Sequence, residues 1–455
     1  MPTFAAADLA AWTAGRWTTA PAAVSGFGTD TRALRPGDAF VAIRTDRRDG
    51  HDFLPAARAQ GAACAFVSHA VADALPQLVV ADAAAALRAA AAAWRRRFTG
   101  PVIGVTGSVG KTSTKDLLGA LLGPTAFVTE ANLNNLLGVP LMLLRLEPAR
   151  HRFAVIEAGM SVPGELGVSA EVIRPDLAIV TAVAPVHLEG VGSLAAVARE
   201  KATLVAALAE AGRGILPAAL LVWPEFAALA RRCIAVRFAG EPAPAVPPAR
   251  LVEARLGEEA GRRLLFLDGE VFPLGAVSDG LARNAALAIV AAREVGADLP
   301  ALRAALLAWS PPVGRGSLHV VGAQTFYVDC YNSSPASLLD AARCFDRLSA
   351  SSARPRLWVV GGMAELGADS AALHRGCAAE LPVRPQDTVV AFGGDAAQVL
   401  AGLPAGPGPR VVATSLEAVR AAVAAHPGFV FVKGSRSFAL ERALPAALAA
   451  HLTFH

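Results

Sequence analysis

The chain has 455 residues, a length that predicts about three domains rather than a single core. Hydrophobic residues make up 54% of it, but alanine supplies most of the excess and no apolar run approaches the roughly 20 residues that cross a bilayer. The net charge of +4 comes mostly from dispersed arginines without interleaved aromatic residues, so we expect no nucleic-acid partner and no membrane span.

Localisation follows from two further features. The N-terminal residues lack the basic segment and the apolar segment that together form a secretion signal. The five cysteines are scattered, without the paired spacing of a zinc site or a disulfide framework, and are expected to be buried packing residues: Cys64, Cys233, Cys330, Cys344 and Cys377. We expect a cytoplasmic protein and a monomer.

Three regions of the chain alternate predicted strands with predicted helices. Residues 1–98 contain a helix at 5–14, strands at 39–43, 63–67 and 78–80, and an alanine-rich helix at 83–98. Residues 99–311 contain strands at 102–105, 153–156 and 177–183 and helices at 115–122, 194–211 and 284–295. After a Pro- and Gly-rich linker at 311–316, residues 312–455 contain strands at 326–328, 357–360, 389–392, 411–413 and 430–432.

This alternation predicts an α/β protein of three domains. The central domain (99–311) would hold a phosphate-loop type of parallel sheet with helices on both faces. A smaller α/β domain (1–98) would precede it, and a Rossmann-like α/β domain (312–455) would follow.

The most informative segment is Gly104-Val-Thr-Gly-Ser-Val-Gly-Lys-Thr112, which joins a predicted strand to a predicted helix. A glycine loop at such a junction directs backbone N–H groups and the positive end of the helix at one place, where a polyphosphate binds. Lys111 would reach the outer phosphates and the Thr112 hydroxyl would face Mg²⁺. The first glycine lies one residue further out than in the common phosphate loop. The segment predicts a site for a nucleoside triphosphate.

Three charged side chains follow the next two strands. Glu157 ends the strand at 153–156, His187 follows the strand at 177–183, and Lys201 lies in the helix at 194–211. Ligands of nucleotide-binding sheets sit at the carboxyl ends of the strands, so Glu157 could bind Mg²⁺ and His187 a second metal or phosphate. Taken singly, each residue also fits an ordinary structural or solvated role.

The motifs and their order resemble those of the Mur ligases, the ATP-dependent amide ligases of peptidoglycan precursor synthesis. The resemblance extends from Thr29 to Ser437. It is carried by TDTRALRPGDAFVAI at 29–43, DGHDF at 49–53, the phosphate loop at 104–113, EANLNNLLGVP at 130–140, AGMSVPGE at 158–165, APVHLEGVGS at 184–193 and VKGSRS at 432–437.

The resemblance implies roles for individual residues. The nucleotide would contact Gly104, Thr106, Gly107, Ser108, Val109, Gly110, Lys111, Thr112, Ser113, Asn284, Arg315 and Asp329, with Asn284 opening its helix and reading adenine. Two Mg²⁺ sites would be formed by Thr112, Glu157, His187 and Lys201, the last as a carbamate. Lys111, His187 and Lys201 would be catalytic. The other substrates would contact Thr31, Arg32, Asn134, Asn135, Asn332, Lys433 and Ser435.

Four segments depart from the family pattern. The family commonly has His-Asn where this chain has Gly280 and Leu281, and Gly-Asp-Met where it has Gly361-Gly-Met363. The third-domain motif loses one Asp and one Asn in Val328-Asp-Cys-Tyr-Asn-Ser-Ser334. The residues after Ile215 lack the usual Asn and paired Asp.

The resemblance implies a reaction and a division of labour. Residues 1–98 would bind a UDP-sugar, 99–311 would bind ATP with Mg²⁺, and 312–455 would bind the amine substrate and close over ATP. Within the family, the closing Val432–Ser437 motif favours the step that adds D-alanyl-D-alanine to UDP-N-acetylmuramoyl-tripeptide through an acyl phosphate. Another Mur-type step, a folylpolyglutamate- or cyanophycin-type ligase, and a non-enzymatic nucleotide switch stay open as alternatives.

Overall fold

The computed structural model describes residues 2–184, 192–259, 262–450 and 452. The chain forms two compact units. The first comprises residues 1–106, 122–179 and 200–214, and the second comprises residues 107–121, 180–199 and 215–455. His187, a predicted metal ligand and catalytic residue, lies outside the described residues.

The first unit begins with a five-stranded sheet. Its strands are β1 (Arg16–Trp17), β2 (Gly26–Gly28), β3 (Asp38–Val41), β4 (Cys64–Val67) and β5 (Gln77–Val79). They lie in the order β1-β5-β4-β3-β2, parallel except for the pair β1 and β5. The helices of this region are α1 (Ala6–Thr13), α2 (Leu54–Ala59) and α3 (Ala83–Arg95). β3 and β4 are buried at every residue, as their short apolar runs predict.

Helix α3 shows how the alanine-rich segment folds. The Asp82 carboxylate accepts a hydrogen bond from the Ala85 N–H at 2.5 Å and so begins the helix. The predicted end at Phe98 is three residues late. The helix ends at Arg95, whose guanidinium donates to the carbonyl oxygens of Ile173 at 2.9 Å and Phe98 at 3.1 Å.

Four further strands of the first unit carry the start of the candidate site. They are β6 (Val102–Thr106), β7 (Ala126–Val128), β8 (Phe153–Glu157) and β9 (Leu177–Val180), in the order β9-β6-β8-β7. β6 and β7 both run parallel to β8, and Val105 pairs with Glu157. Glu157 therefore lies at the carboxyl edge of the sheet, where the chain leaves β6.

The remaining central elements complete the chain order. The helices are α4 (Lys111–Leu122), α5 (Gly138–Leu143), α6 (Glu165–Ile173), α7 (Leu194–Ala206), α8 (Pro224–Ala227), α9 (Asp279–Glu294) and α10 (Leu299–Ala308). The strands are β10 (Arg213–Pro217), β11 (Cys233–Phe238), β12 (Arg250–Glu259), β13 (Arg262–Leu267) and β14 (Glu270–Leu274). β11 is parallel to β12, but β12, β13 and β14 are antiparallel neighbours. We predicted a parallel sheet in this domain and did not predict the antiparallel strands β12, β13 and β14.

The C-terminal region of the second unit is a six-stranded sheet with helices on both faces. Its strands are β15 (Ser317–Val321), β16 (Gln324–Asp329), β17 (Arg356–Gly361), β18 (Thr388–Phe392), β19 (Arg410–Ala413) and β20 (Phe429–Lys433). Their order is β15-β16-β20-β17-β18-β19, and all pairs are parallel except β15 with β16. The helices are α11 (Pro335–Ser349), α12 (Ser370–Ala378), α13 (Ala397–Gly402), α14 (Leu416–Ala425) and α15 (Ala446–Ala449).

Side chains that alternate along β17 supply two separate cores. Trp358 packs on one face with Phe345 and Phe431, while Leu357 and Val359 pack on the other. Because both faces of the sheet are covered, successive residues of β17 from Leu357 to Val360 are all apolar. Short 3₁₀ segments occur at Thr31–Ala33, Gly50–Phe53, Ala218–Val222, Ala230–Arg232, Gly367–Asp369, Arg436–Phe438 and Leu440–Ala443.

Candidate functional site

The predicted phosphate loop is a turn stabilised by its neighbours in the second unit. The N–H of Ser108 donates to the carbonyl oxygen of Ala182 at 2.9 Å, and its hydroxyl donates to the carbonyl of Ala184 at 3.0 Å. The Thr181 hydroxyl donates to the carbonyl of Val109 at 2.5 Å. These bonds use residues 181–184, so β9 ends at Val180 instead of continuing to the predicted Val183.

Two glycines of the loop are required by geometry. Gly107 has a φ of +147° and Gly110 a φ of +85°, and both values disfavour a residue with a Cβ. A Cβ on Gly107 would also overlap the Thr181 hydroxyl, and one on Gly110 would overlap the Asn284 amide. The loop therefore packs closely against Thr181 and Asn284 in a conformation that favours glycine. Gly104, by contrast, is buried within β6.

Helix α4 begins at Lys111, four residues earlier than the predicted start at 115. The Lys111 ammonium donates to the carbonyl oxygen of Gly107 at 2.8 Å, so the side chain folds over the loop. Thr112 and Ser113 occupy the next two positions of the helix. The first turn of a helix carries unsatisfied N–H groups and a partial positive charge, and both attract a phosphate.

Asn284 lies beside this loop but does not open its helix. Helix α9 begins at Asp279, five residues before Asn284, with the Ser278 hydroxyl accepting from the Leu281 N–H at 3.2 Å. The prediction of a helix start at Asn284 was therefore wrong. Asn284 is placed instead on the second turn, and its amide lies where a side chain at Gly110 would stand.

In the first unit, Glu157 is buried at the end of β8. Its backbone N–H donates to the Thr129 hydroxyl at 3.0 Å, and one carboxylate oxygen accepts from the Asn134 amide at 2.7 Å. The carbonyl of Asn134 accepts from the Gly159 N–H at 2.7 Å. Asn134, predicted to contact substrate, thus holds the Glu157 carboxylate. The neighbouring Asn135 side chain accepts from the N–H of Gly138, the first residue of helix α5, at 2.7 Å.

Lys201 is also buried, with a relative exposure of 2%. The adjacent Glu200 carboxylate accepts from the N–H groups of Gly164 at 3.0 Å and Leu166 at 2.9 Å. These contacts attach α7 to the start of α6 within the first unit. A lysine in this position is not the solvated helical lysine that a sequence alone would suggest.

A third group of predicted residues meets in the C-terminal sheet. Asp329 ends β16 and pairs with Lys433 of β20, whose ammonium is 2.8 Å from the carboxylate and 2.9 Å from the Asn332 carbonyl oxygen. The Ser435 hydroxyl donates to the Asn332 amide oxygen at 3.4 Å. The Lys-Gly-Ser motif and the Asp329–Asn332 motif thus form one polar cluster.

Arg315 lies against Tyr331 at the edge of this cluster. Its guanidinium carbon is 3.6 Å from the centre of the Tyr331 ring, and that of Arg436 is 5.7 Å from it. Sequence reasoning did not single out Tyr331. Its position in the sequence between Asp329 and Asn332, two predicted site residues, could have indicated that Tyr331 lies at the site.

The departure at Gly362 has a steric reason. A Cβ at 362 would come within 2.7 Å of the Phe438 ring and 2.8 Å of the Gly393 carbonyl oxygen. Phe438 directly follows the Val432–Ser437 motif, and its ring fills the space that an aspartate at 362 would need. The Gly362 carbonyl accepts from the Ser435 N–H at 2.9 Å, so the loop keeps its contact with the motif.

A cavity of about 590 Å³ opens in the first unit beside the TDTR segment. Thr29 and Asp30 line it, together with Arg35, Arg145 and His151. The Arg32 guanidinium, bonded to the Asp30 carboxylate, holds the pKa of Asp30 at about 2. Thr31, the other predicted substrate residue of this segment, begins a 3₁₀ turn.

Hard oxygen ligands are those that Mg²⁺ prefers. Glu157 offers carboxylate oxygens in the first unit, and Thr112 offers a hydroxyl oxygen in the second unit. Among the described residues, no cluster of three or more His, Cys, Asp or Glu side chains is positioned to bind a metal ion.

Over the part of the chain that the structure describes, no helix combines the length and the apolar character needed to span a bilayer.

Three family profiles match the chain in order. They are "Mur ligase family, catalytic domain" over residues 23–96, "Mur ligase middle domain" over 105–291 and "Mur ligase, glutamate ligase domain" over 315–436. The chain belongs to the Mur ligase family of ATP-dependent ligases.

Two relatives with the same enzyme name are similar to this chain over most of its length. The chain is 35% identical over 357 residues to the UDP-N-acetylmuramoyl-tripeptide–D-alanyl-D-alanine ligase of Escherichia coli (strain K12), covering 76% of each chain. It is 30% identical over 445 residues to the enzyme of that name from Treponema pallidum (strain Nichols), covering 92% of this chain and 93% of the relative.

Two solved structures have a fold similar to that of this chain. MurF from Acinetobacter baumannii has a TM-score of 0.85 at 28% identity and covers 99% of both chains. MurF ligase from Thermotoga maritima, solved with ADP, has a TM-score of 0.78 at 23% identity and covers 94% of this chain and 98% of its own. The predicted family, the three-domain α/β class and the ligase class are confirmed.

Proposed function

We propose that this chain joins D-alanyl-D-alanine to UDP-N-acetylmuramoyl-tripeptide at the expense of ATP, a step of peptidoglycan precursor synthesis. The observation that supports it most is the phosphate loop, in which Gly107 and Gly110 have positive φ values and the Lys111 side chain folds over the turn. The similarity to the E. coli ligase over 76% of the chain supports the choice of substrates.

The reaction has two steps. A carboxylate oxygen of the tripeptide attacks the γ-phosphorus of ATP, the bond to the β,γ-bridging oxygen breaks, and ADP leaves. The amine nitrogen of D-alanyl-D-alanine then attacks the acyl carbon, phosphate leaves, and the nitrogen loses a proton as the amide forms. Both steps concentrate negative charge on phosphate oxygens, which Lys111 and the loop N–H groups offset.

The nucleotide site comprises the loop and helix start from Gly104 to Ser113 with Asn284, Arg315 and Asp329. Thr112 and Glu157, together with His187 and carbamylated Lys201, would hold Mg²⁺ at two sites. Bound Mg²⁺ supplies positive charge to the phosphate oxygens. Asn134 orients the Glu157 carboxylate through its hydrogen bond.

The burial of Lys201 supports its carbamylation. Carbon dioxide adds to the nitrogen of a lysine amine with loss of a proton, and the burial of Lys201 shields the resulting carbamate from bulk water. The product is a carbamate, which carries two carboxylate-like oxygens at the end of the lysine side chain. Such a group is a hard ligand suited to the second Mg²⁺.

The other substrates are assigned to the remaining clusters. The cavity beside Thr29 and Asp30 takes the UDP-sugar, with Thr31 and Arg32 at its margin, because its arginines suit a diphosphate. The cluster of Asn332, Lys433 and Ser435 takes the amine substrate. We assign these roles to domains at 1–98, 99–311 and 312–455 of a cytoplasmic monomer, with the third domain closing over ATP.

A product assay tests the proposal. The chain is incubated with ATP, Mg²⁺ and UDP-N-acetylmuramoyl-tripeptide together with D-alanyl-D-alanine, L-alanyl-L-alanine, D-alanine or L-glutamate, and products are weighed by mass spectrometry. Phosphate release should require both co-substrates, and D-alanyl-D-alanine should be the amine incorporated. Lys111→Ala provides the inactive control. Release with ATP alone, or incorporation of another amine only, would overturn the proposal.

A further inference from the structure

Asp340 of helix α11 contacts the N-terminus of helix α9. One carboxylate oxygen accepts from the Gly280 N–H at 3.0 Å, and the carboxylate also accepts a hydrogen bond from the Ser278 hydroxyl. The Ser278 oxygen in turn accepts from the Leu281 N–H at 3.2 Å. The carboxylate of one helix thus completes the cap of another.

A second contact joins the same two helices. Arg347, seven residues after Asp340, lies 3.1 Å from the Asp279 carboxylate and donates to the Val277 carbonyl oxygen at 3.4 Å. Asp279 also forms an ion pair with Arg263 of β13. The start of α9 is therefore held by α11 over the four residues from Val277 to Gly280.

Gly280 is required for this arrangement. A Cβ at 280 would stand 2.5 Å from the other oxygen of the Asp340 carboxylate, closer than any side chain permits. Gly280 has no left-handed φ that would otherwise demand glycine. The Asp340 carboxylate occupies the space that a side chain at 280 would need, which is a reason for glycine where the resembling family has histidine.

Asn284 lies four residues after Gly280, so both face the same side of α9. The distance along the helix is about 6 Å at 1.5 Å per residue. We infer that Asp340 is a positioning residue which, through Gly280, sets Asn284 against the phosphate loop and links the placement of helix α11 to nucleotide binding. The inference rests on the proposed nucleotide site, because Asn284 must contact the nucleotide for its placement to matter.

Two substitutions remove the contact from opposite sides. Asp340→Ala removes the acceptor, and Gly280→Ala displaces it. Each should weaken the binding of ADP, measured with a fluorescent ADP analogue, and raise the KM for ATP by about tenfold, the size of one lost hydrogen bond to a charged group. The KM for each of the other substrates and kcat should change by less than about twofold.

Three variants control the measurement. Asp340→Asn keeps an acceptor for Gly280 and should bind ADP within about twofold of the wild type. Gly376→Ala lies in helix α12, where no atom is within 4 Å of the new Cβ, and should leave binding unchanged. The double variant Gly280→Ala/Asp340→Ala should bind ADP no more weakly than either single variant, because the two substitutions remove the same contact.

Thermal unfolding of each variant establishes that it is folded before binding is compared. If the wild type binds ADP and both Asp340→Ala and Gly280→Ala bind it with the same affinity, the inference is overturned. The proposed function is then left intact. A uniform change in the KM of all substrates would show a merely structural role and would also overturn it. Failure of the wild type to bind ADP would instead refute the proposed nucleotide site.

Discussion

The guanidinium of Arg315 lies 3.6 Å from the centre of the Tyr331 ring, close enough for a cation–π contact. Arg315 is the arginine assigned to the nucleotide, and Tyr331 stands two residues after Asp329, which is assigned to the same site. The stacked ring fixes the plane of the guanidinium. Tyr331 therefore determines where Arg315 can direct its donors.

Replacing Tyr331 tests this relationship. Tyr331→Ala should raise the KM for ATP by about tenfold, since a cation–π contact contributes about 0.5–2 kcal/mol. Tyr331→Phe keeps the ring and should retain a KM within about twofold of the wild type. Steady-state kinetics with varied ATP measures both. Equal losses in the two variants would show that the hydroxyl, rather than the stacked ring, is required.

Gly107→Ala should lower turnover by up to about 100-fold while the chain stays folded. The backbone φ of +147° and the overlap of a Cβ with the Thr181 hydroxyl would distort the loop, and strain of about 1–3 kcal/mol at such a site corresponds to a loss of up to about 100-fold. Gly167→Ala in helix α6, with no atom within 4 Å of the new Cβ, is the matched control. Wild-type phosphate release by Gly107→Ala would contradict the assignment of the loop.

Lys201 can be tested as a carbamate rather than as a cation. Lys201→Ala should lose activity and regain part of it when a short-chain carboxylate is added, because the added anion replaces the carbamate oxygens. Lys201→Arg keeps the positive charge but cannot be carbamylated, so it should be inactive. An active arginine variant would show that charge alone suffices and would contradict the carbamate.

The stability of the chain should depend on pH through Asp340. Burial raises the pKa of Asp340 above its ordinary value of 3.8, outweighing the opposing hydrogen bonds from Ser278 and Gly280, and nearby Asp279 and Asp329 raise the pKa further. The folded chain then binds a proton more tightly than the unfolded chain, so stability falls as pH rises from 3.8 through the raised pKa.

Asp340→Asn removes this dependence. The difference in unfolding midpoint between the variant and the wild type should be smallest near pH 4 and should grow in favour of the variant as pH rises. Scanning calorimetry between pH 4 and pH 7 measures it, at about half-unit intervals. A difference that stays constant with pH would mean that the folded and unfolded chains bind the Asp340 proton equally.

All five cysteines should resist thiol reagents in the folded chain. Burial raises the pKa of Cys64, Cys330 and Cys344 to about 12, and that of Cys233 and Cys377 to about 11, so few thiolates exist at pH 8. Titration with Ellman's reagent should detect the thiols only after unfolding in guanidinium chloride. Rapid labelling of the native chain would show that a thiol is accessible.

Local sequence determined the parts of this protein that depend on nearby residues. The phosphate loop is fixed by its glycines, the buried strands by short apolar runs such as Val102–Thr106, and the end of β8 by Glu157. The signals that predict these features are local, because φ preferences, apolar patterning and the strand-to-helix junction involve residues that are close in sequence.

Only the tertiary structure decided which residues meet across long separations. Asp340 accepts a hydrogen bond from Gly280 at the start of α9, Thr181 ends β9 early by bonding to Val109, and Phe438 excludes a side chain at Gly362. Each contact joins residues that are about 60 or more positions apart in sequence, and no local propensity encodes it. Hydrogen bonding and steric exclusion across the folded chain therefore set the boundaries and the departures that the motifs alone left undetermined.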